Sequence, residues 1–275
     1  MTGILYLVAT PIGNLKDITF RAIETLQTVD LIAAEDTRHT AKLLHHYQIK
    51  TPTISYHQHN HQTRVTELST KLLEGLNIAL VTDAGTPCIS DPGYYLVLAC
   101  MEANIRVIPI PGAMAAISGL VASGLSTERF CFEGFLPTKK KLRENRLNSL
   151  KEEKRTIIFY EAPHKLEKTL ADLANFFGIK RNICLARELT KIHEDFWRGN
   201  LEKAIKFYEN CEPKGEYTII VEGNQEEEIT LSETEIKEEI EKLLKQGMSK
   251  TEASQYLVKY TNLSRREIYQ LMINQ

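Results

Sequence analysis

The stretch at residues 78–93, IALVTDAGTPCISDPG, is the feature that most constrains the fold. Residues 78–81 are apolar β-formers, which predicts a short buried strand. Small residues and turn formers follow at once, and a second turn at residues 90–93 opens a helical pattern. A buried strand that runs into a tight loop is how an open α/β sheet builds a ligand crevice at its carboxyl edge. An ordinary strand–turn–helix junction with helix caps is the alternative interpretation.

The first 122 residues alternate between short apolar runs and segments with helical spacing of apolar residues. The predicted strands are residues 4–9, 31–34, 53–56, 78–81 and 106–110. This alternation predicts a mostly parallel sheet with helices on both faces. A polar or glycine-bearing loop follows every strand, and such loops line one crevice in an open sheet.

A second α/β domain is predicted for residues 123–224, because the alternation breaks near residue 123. Strands outnumber helices there, and residues 193–199 fit an antiparallel strand, so we expect a mixed sheet. Residues 223–228 are predicted to be a linker. Residues 229–275 read as three short helices with two S-x-x-E capping boxes, which suggests a helix-turn-helix unit. A packing or dimer-supporting role is the alternative, because this segment is more acidic than basic.

Composition narrows the class of protein. The 275 residues include 34 basic and 36 acidic ones, so no global charge favours nucleic acid. The five cysteines are scattered without a CxxC pair, which fits a reducing compartment. The apolar run at the N-terminus has no basic leader and is too short to cross a bilayer. We therefore expect a cytoplasmic protein without a membrane segment.

Several common catalytic and nucleotide-binding motifs are absent from the sequence. Neither G-x-G-x-x-G nor G-x-x-x-x-G-K-[ST] occurs, and no serine lies in a G-x-S-x-G elbow. His57, His59 and His61 alternate, but nothing nearby supports a metal site, and we expect none. What remains is a crevice of small residues, amides and carboxylates, which suits a ligand of nucleoside size. Asp83 or Asp91 would tolerate a cationic group on that ligand.

A basic segment lies in the predicted second domain. Residues 138–155 contain eight Lys or Arg against three Glu, a local excess of five positive charges. This predicts a clamp for an RNA backbone. The alternative is a solvated helix end. The basic residues of its first part are Lys139, Lys140, Lys141, Arg143 and Arg146.

The ordered motifs VATPIGNL, AEDTRHT, SYHQHN, VTDAGTPCISDPG, PIPGAMAA, FEGFLP, IIFYEAPHK, LARELTKIHE and KGEYTIIVEG cover nearly the whole of residues 4–223. Together they resemble the tetrapyrrole methylase superfamily, and within it the branch that methylates the RNA of the small ribosomal subunit. The sequence departs from that branch at Gln58 and His61, where we associate acidic residues with the pattern, so the role of those two positions is open.

The resemblance implies an S-adenosylmethionine-dependent enzyme that 2′-O-methylates a cytidine in the decoding region of 16S rRNA. It implies two α/β domains with the cofactor in the cleft between them, usually in a homodimer. The cofactor-binding residues it implies are Pro11, Asp83, Ser90, Asp91, Ala113, Met114, Ala115, Tyr160, Glu161, Ala162, Arg187, Gly215, Glu216 and Tyr217.

Methyl transfer to a ribose 2′-hydroxyl is accelerated by a base, or by a hydrogen-bond donor that stabilises the developing oxyanion. Glu35 or Asp36 is the expected base or orienting group, with Arg38 near a phosphate. His57 and Asn60 are further candidates to contact RNA. A structural Asp36–Arg38 ion pair is the alternative for that loop. Two rival functions stay open: a methyltransferase for a corrinoid or another tetrapyrrole, and a non-enzymatic ribosome-assembly factor.

Overall fold

The computed structural model describes residues 2–225, 233–261 and 263–272. The chain forms two compact units, Met1–Gly223 and Asn224–Gln275. The first unit contains two five-stranded sheets. Of the predicted linker, residues 226–228 lie outside the described residues.

The first sheet is parallel throughout, as the alternating pattern predicts. Its strand order is β3-β2-β4-β1-β5. The strands are β1 (Ile4–Val8), β2 (Leu31–Ala34), β3 (Thr53–Ser55), β4 (Ile78–Val81) and β5 (Arg106–Ile110). The helices between them are α1 (Phe20–Thr28), α2 (Thr37–His46), α3 (His61–Leu73) and α4 (Tyr94–Glu102).

Separate apolar clusters cover the two faces of this sheet. Ala22 and Leu26 of α1 pack with Val8 and Val81 on one face. Leu68 and Leu72 of α3, with Leu96 of α4, pack against the other face. All four residues of β4 are buried, because helices cover the strand from both sides.

The second sheet is mixed, which confirms the prediction of antiparallel members. Its order is β6-β7-β10-β8-β9. β6 and β7 are parallel, whereas β10 runs antiparallel to β7 and β8, and β9 runs antiparallel to β8. The strands are β6 (Phe130–Phe135), β7 (Thr156–Glu161), β8 (Asn182–Arg187), β9 (Asp195–Asn200) and β10 (Tyr217–Val221).

Helix α5 (Ala115–Ser123) follows the first sheet in sequence but packs on the second. Its buried Ala116 and Leu120 share a cluster with Ile158 and Ile220. The contact is close: a Cβ at Gly119 would lie 3.2 Å from Cγ2 of Thr218. A division at residue 122 would therefore cut through a helix that contributes to the core of the second sheet.

The opposite face of the second sheet is covered by three helices that share the largest apolar cluster. They are α6 (Lys140–Ser149), α7 (Leu166–Phe177) and α8 (Leu201–Tyr208). In α7 the apolar residues recur at positions 166, 170, 173, 174 and 177, and all are buried. This is the amphipathic pattern that the sequence predicts for this segment.

The second unit contains the three predicted helices, α9 (Glu233–Lys245), α10 (Lys250–Leu257) and α11 (Arg265–Leu271). Both capping boxes form, Ser249 with Glu252 and Ser264 with Glu267. The described residues of this unit have their own apolar core, to which Ile240, Leu257 and Ile268 contribute. In the described parts of both units, no helix is long and apolar enough to span a membrane.

Candidate active site

The loop after β4 has an unusual backbone. Four residues within nine positions have a positive φ: Gly85 (89°), Cys88 (71°), Ser90 (60°) and Gly93 (145°). Residues other than glycine rarely adopt this conformation, and such strain clusters at functional sites. At Gly93 an added Cβ would also lie 2.4 Å from Sγ of Cys88, so the loop folds back tightly on itself.

This loop is bonded to its neighbour after β1. The Thr10 N–H donates to the Gly85 carbonyl at 2.9 Å, and the Gly85 N–H donates to the Thr10 carbonyl at 3.1 Å. The Thr10 hydroxyl also donates to the Thr82 carbonyl at 3.1 Å. In addition, the Thr86 hydroxyl donates to the Ala113 carbonyl after β5 at 3.2 Å. Three loops at the carboxyl edge of the first sheet are thus held together as one rim.

Carboxylates connect the loop after β2 to the loop after β4. An oxygen of Glu35 accepts from the Thr82 hydroxyl at 2.6 Å and from the Asp83 N–H at 3.4 Å. In return, an oxygen of Asp83 accepts from the Asp36 N–H at 3.1 Å. The carboxyl groups of Glu35 and Asp83 are therefore fixed beside each other by main-chain and hydroxyl donors.

Two carboxyl groups of this site have raised pKa values. Burial raises the pKa of Asp91 to about 6, and the carboxylates of Glu35 and Asp83 act in the same direction. Burial likewise raises the pKa of Asp83. Because burial and like charges both disfavour the anionic forms, this end of the sheet is suited to a positively charged ligand.

The second sheet supplies the opposite wall. The Tyr160 hydroxyl at the end of β7 accepts from the Ala116 N–H in the first turn of α5 at 3.1 Å. The buried Glu161 carboxylate accepts from the Ala162 N–H at 2.9 Å and from the Thr169 hydroxyl at 2.5 Å. The loops after β1 and β8 also meet, because the Asn14 N–H donates to the Thr190 hydroxyl at 3.1 Å.

Between these walls lies a cavity of about 370 Å³. This volume is within the range of small-molecule sites. Both sheets contribute to its lining, which is made of Ile12, Glu35, Asp83, Ala84, Gly85, Thr86, Ile89, Ser90, Asp91, Met114, Ala115, Phe135, Tyr160, Glu161, Ala162, Ala186, Leu189, Lys191, Glu216, Tyr217 and Thr218. Five of these residues are acidic and one is basic.

Most of the residues predicted for cofactor binding line this cavity, together with Glu35 from the predicted catalytic group. Four predicted cofactor residues do not line it. Pro11 and Ala113 lie in the rim loops, while the Arg187 guanidinium donates to the Lys214 carbonyl at 2.8 Å. A Cβ at Gly215 would collide with the Glu188 side chain, so Gly215 permits a close contact between two loops.

Asp36 and Arg38 form the ion pair that was the alternative for their loop. The Arg38 guanidinium donates to both Asp36 oxygens, at 3.2 and 2.9 Å. These hydrogen bonds lower the pKa of Asp36 to about 2. Asp36 also caps α2 by accepting from the Arg38 N–H at 2.8 Å. Neither residue lines the cavity, and the Arg38 side chain is 90% exposed.

Lys191 is a lining residue that the sequence reasoning missed. Its ammonium donates to Glu188 and to Glu216, at 2.8 Å each. Burial acts to lower its pKa, but the hydrogen bonds to these two carboxylates raise the pKa overall, so Lys191 is a cation. Its position in the strand-end motif LARELTKIHE was the signal that could have found it.

The residues predicted to contact RNA fall into different environments. Lys139, Lys140 and Lys141 are exposed at the start of α6. His57 and Asn60 lie in the turn after β3, where an oxygen of Asn60 accepts from the His57 N–H at 2.9 Å. No cluster of potential metal ligands occurs among the described residues, the histidine stretch included.

Arg143, which the sequence analysis groups with the predicted RNA-binding residues, differs from the three lysines before it. Its side chain is buried, and its guanidinium donates to Asp172 and to the Thr169 hydroxyl, at 2.7 Å each. Thr169 in turn donates to Glu161 of the cavity wall. Arg146 is partly engaged as well, because it pairs with Glu133. One turn of α6 therefore docks the helix, and an RNA phosphate could not reach Arg143 in this arrangement.

The family model for "Tetrapyrrole (Corrin/Porphyrin) Methylases" matches residues 4–205. Together with the two-sheet α/β fold and the cavity lined by both sheets, this match defines the class as a methylase. The chain belongs to the tetrapyrrole methylase family.

Three relatives carry the name ribosomal RNA small subunit methyltransferase I. The protein of Synechocystis sp. is 58% identical over 98% of both chains. That of Halalkalibacterium halodurans is 49% identical over 98% of this chain and 94% of its own. That of Bacillus subtilis is 46% identical over 97% of this chain and 93% of its own.

Solved structures share the fold at lower identity. The uroporphyrin-III-C-methyltransferase from Thermus thermophilus superposes with a TM-score of 0.59 at 18% identity, covering 80% of this chain and 94% of that chain. The methyltransferase CobJ gives a TM-score of 0.61 at 17% identity, covering 81% and 95%. At these identities the likeness concerns the fold alone.

We predict that Arg143→Ala lowers the free energy of unfolding by about 3 kcal/mol, because it leaves Asp172 without its buried partner. Urea denaturation measures this change. Lys140→Ala is the matched control on the same helix; its side chain is 89% exposed, and we expect a change below about 0.5 kcal/mol. Equal midpoints for the two variants would contradict the structural role of Arg143.

We predict that Asp91→Asn stabilises the protein at neutral pH. The pKa of Asp91 is raised, so the folded state favours the proton and wild-type stability falls as the pH rises from about 4 to 6. The variant's free energy of unfolding minus that of wild type should be about 1 to 2 kcal/mol larger at pH 7.5 than at pH 4. This range allows for solvent that reaches the loop. Urea denaturation across this range tests it, with exposed Asp17→Asn as control. A difference that does not grow with pH would refute the prediction.

Proposed function

We propose that the protein uses S-adenosylmethionine to methylate the ribose 2′-hydroxyl of a cytidine in the decoding region of 16S rRNA. The observation that carries this proposal is the acidic cavity shared by both sheets, built from the same motifs by which the sequence resembles rRNA methylases. The names of the relatives at 46–58% identity support RNA of the small ribosomal subunit as the substrate.

The lining residues fit this methyl donor. Its sulfonium and amino groups are cationic, and the lining has an excess of carboxylates, among them Glu35, Asp83 and Asp91. Ala84, Gly85 and Ala115 leave room for a group of nucleoside size. We assign the donor to these residues and to Ser90, Met114, Tyr160, Glu161, Ala162, Glu216 and Tyr217, while Pro11, Ala113, Arg187 and Gly215 support the loops around it.

Bound S-adenosylmethionine supplies an electrophilic methyl group. The protein must then exclude water and hold the 2′-hydroxyl in line, which supplies much of the rate. Glu35 is placed to orient that hydroxyl or to take its proton, since its carboxylate lines the cavity and is fixed by Thr82. Asp36 is a weaker candidate, because Arg38 and the N-terminus of α2 already occupy its oxygens.

The exposed start of α6 is proposed to bind the RNA backbone. Lys139, Lys140 and Lys141 follow β6, whose last residue, Phe135, lines the cavity. Phosphates bound there would lie next to the opening. His57 and Asn60 remain candidates for RNA contact at the carboxyl edge of the first sheet, and Arg38 for contact with a phosphate. We further propose that the enzyme works as a homodimer in the cytoplasm, where ribosomal subunits are assembled.

A tetrapyrrole as substrate is the second candidate, and the family description favours it. The names of the relatives at 46–58% identity argue against it. Methyl transfer to small ribosomal subunits, tested against transfer to uroporphyrinogen, separates the two candidates.

The function is tested by mapping 2′-O-methyl groups on 16S rRNA from cells with and without the gene. We expect one decoding-region cytidine to lose its methyl group and wild-type protein to restore it. In vitro, Glu35→Gln should lower turnover on the unmethylated subunits at least about 100-fold, a larger factor than its loss of S-adenosylmethionine affinity.

Asp36→Asn is the matched control for this variant. Asparagine also caps helices well, so we expect turnover within a few-fold of wild type. Full turnover by Glu35→Gln would exclude the proposed role of Glu35. An unchanged methylation map would exclude the proposed function itself.

We predict that Lys139→Glu/Lys141→Glu weakens binding of unmethylated small subunits and flattens its salt dependence. Losing two phosphate contacts should lower the slope of log K against log salt by about 1.5. Titrations at several salt concentrations measure this slope. Lys180→Glu/Lys203→Glu carries the same charge change on exposed residues at the opposite end of β8. If both double variants behave alike, the start of α6 is not an RNA clamp.

A further inference from the structure

Phe135 is an exposed aromatic side chain at the edge of the cavity. It ends β6, its side chain is 57% exposed, and it is nevertheless one of the lining residues. Its neighbour Leu136 is buried in the core under α7. The end of β6 is therefore well packed, and the exposure is specific to Phe135.

The backbone of β6 directs this side chain outward. The pairing of β6 with β7 shifts by one residue between Phe132 and Gly134, which is a bulge, and Gly134 has a φ of 63°. Bulges of this kind re-aim side chains next to active sites. A Cβ at Gly134 would lie 2.9 Å from Oγ of Ser90, so the bulge also brings this strand against the loop after β4.

The ring of Phe135 packs against that of Tyr160. Its centroid lies 5.6 Å from that of Tyr160, with the ring planes 60° apart, and Tyr160 in turn contacts Phe132 at 4.9 Å. Tyr160 is held by its hydrogen bond from the Ala116 N–H. Phe135 thus contacts a fixed aromatic ring, and more than half of its surface stays exposed beside the cavity.

Cations lie a few residues further along the chain. Lys139, Lys140 and Lys141 are exposed and begin α6. An exposed aromatic ring next to a cationic segment is the combination by which proteins bind unpaired RNA, because the bases stack on the ring while the cations bind phosphates. A second protein would not require that pairing, and the names of the relatives favour RNA over a tetrapyrrole.

We propose that Phe135 stacks on the unpaired base of the nucleotide that is methylated, and so positions its ribose at the cavity. This inference rests on the proposed function, because it assumes an RNA substrate. Glu35 and Phe135 line the same cavity. A base stacked on Phe135 would therefore have its own sugar, rather than a distant one, within the space that Glu35 faces.

The competing role for Phe135 is to cover the methyl donor. The two roles make different predictions for Phe135→Ala. A stacking role requires that kcat/KM for unmethylated small subunits falls roughly 5- to 100-fold, the loss expected for one base–aromatic stack. S-adenosylmethionine affinity, measured by calorimetry, should then stay within about threefold of wild type.

Conservative variants separate stacking from simple packing. Phe135→Tyr keeps a flat ring and should retain most of the activity, whereas Phe135→Leu keeps an apolar side chain and should lose nearly as much as Phe135→Ala. Phe130→Ala is the matched control, because Phe130 begins the same strand and is 39% exposed. Its kcat/KM should match that of wild type.

Photo-cross-linking locates the base directly. Phe135 and, separately, Phe130 are replaced by p-benzoylphenylalanine, and the cross-linked positions on the small subunit are read as reverse-transcription stops. We expect the stop from position 135 at the methylated cytidine or the nucleotide beside it, with no such stop from position 130.

Three results would overturn the inference: loss of S-adenosylmethionine affinity in Phe135→Ala that matches the loss of turnover, full activity of Phe135→Leu, or no decoding-region stop specific to position 135. If the wild-type protein transfers no methyl group to small subunits, the proposed function fails and this inference with it. If wild type and Phe135→Ala are equally active, only the inference fails.

Discussion

The reciprocal main-chain bonds between Thr10 and Gly85 are the contact on which the site depends. β1 and β4 are neighbours at the centre of the sheet, and the chain leaves β1 toward one edge and β4 toward the other. Their loops diverge at this point, which is where open α/β sheets bind ligands. The bonds hold the two loops at a fixed distance from each other. Gly85 can form them because its φ of 89° is accessible to glycine without strain.

The second sheet turns this rim into an enclosed cavity. Tyr160 binds the first turn of α5, and Thr190 binds the loop after β1, so the two walls are tied by polar contacts at separate places. Helix α5 strengthens the connection, because it leaves the first sheet and packs in the core of the second. Contacts of this kind pre-organise a cavity, which lowers the ordering that binding would require.

Strand and loop positions could be predicted from the sequence, because short apolar runs and turn formers are local signals. They suffice to bring Asp83, Asp91 and Glu35 to one edge of a sheet. Arg143 could not be predicted, since its burial depends on Asp172 and Thr169 of another helix. In a run of positive charges nothing local distinguishes the residue that docks the helix from those that face solvent. Phe135 needed the relative position of two sheets, which no motif encodes, whereas Lys191 lies in a strand-end motif that could have indicated it.

The acidic lining has a consequence for turnover under the proposed function. Burial, together with the neighbouring carboxylates of Glu35 and Asp83, raises the pKa of Asp91, and a cationic donor would offset both effects. Methyl transfer converts the sulfonium to a neutral thioether, so the product loses the charge that the lining favours. The same carboxylates therefore attract the donor more strongly than the spent product.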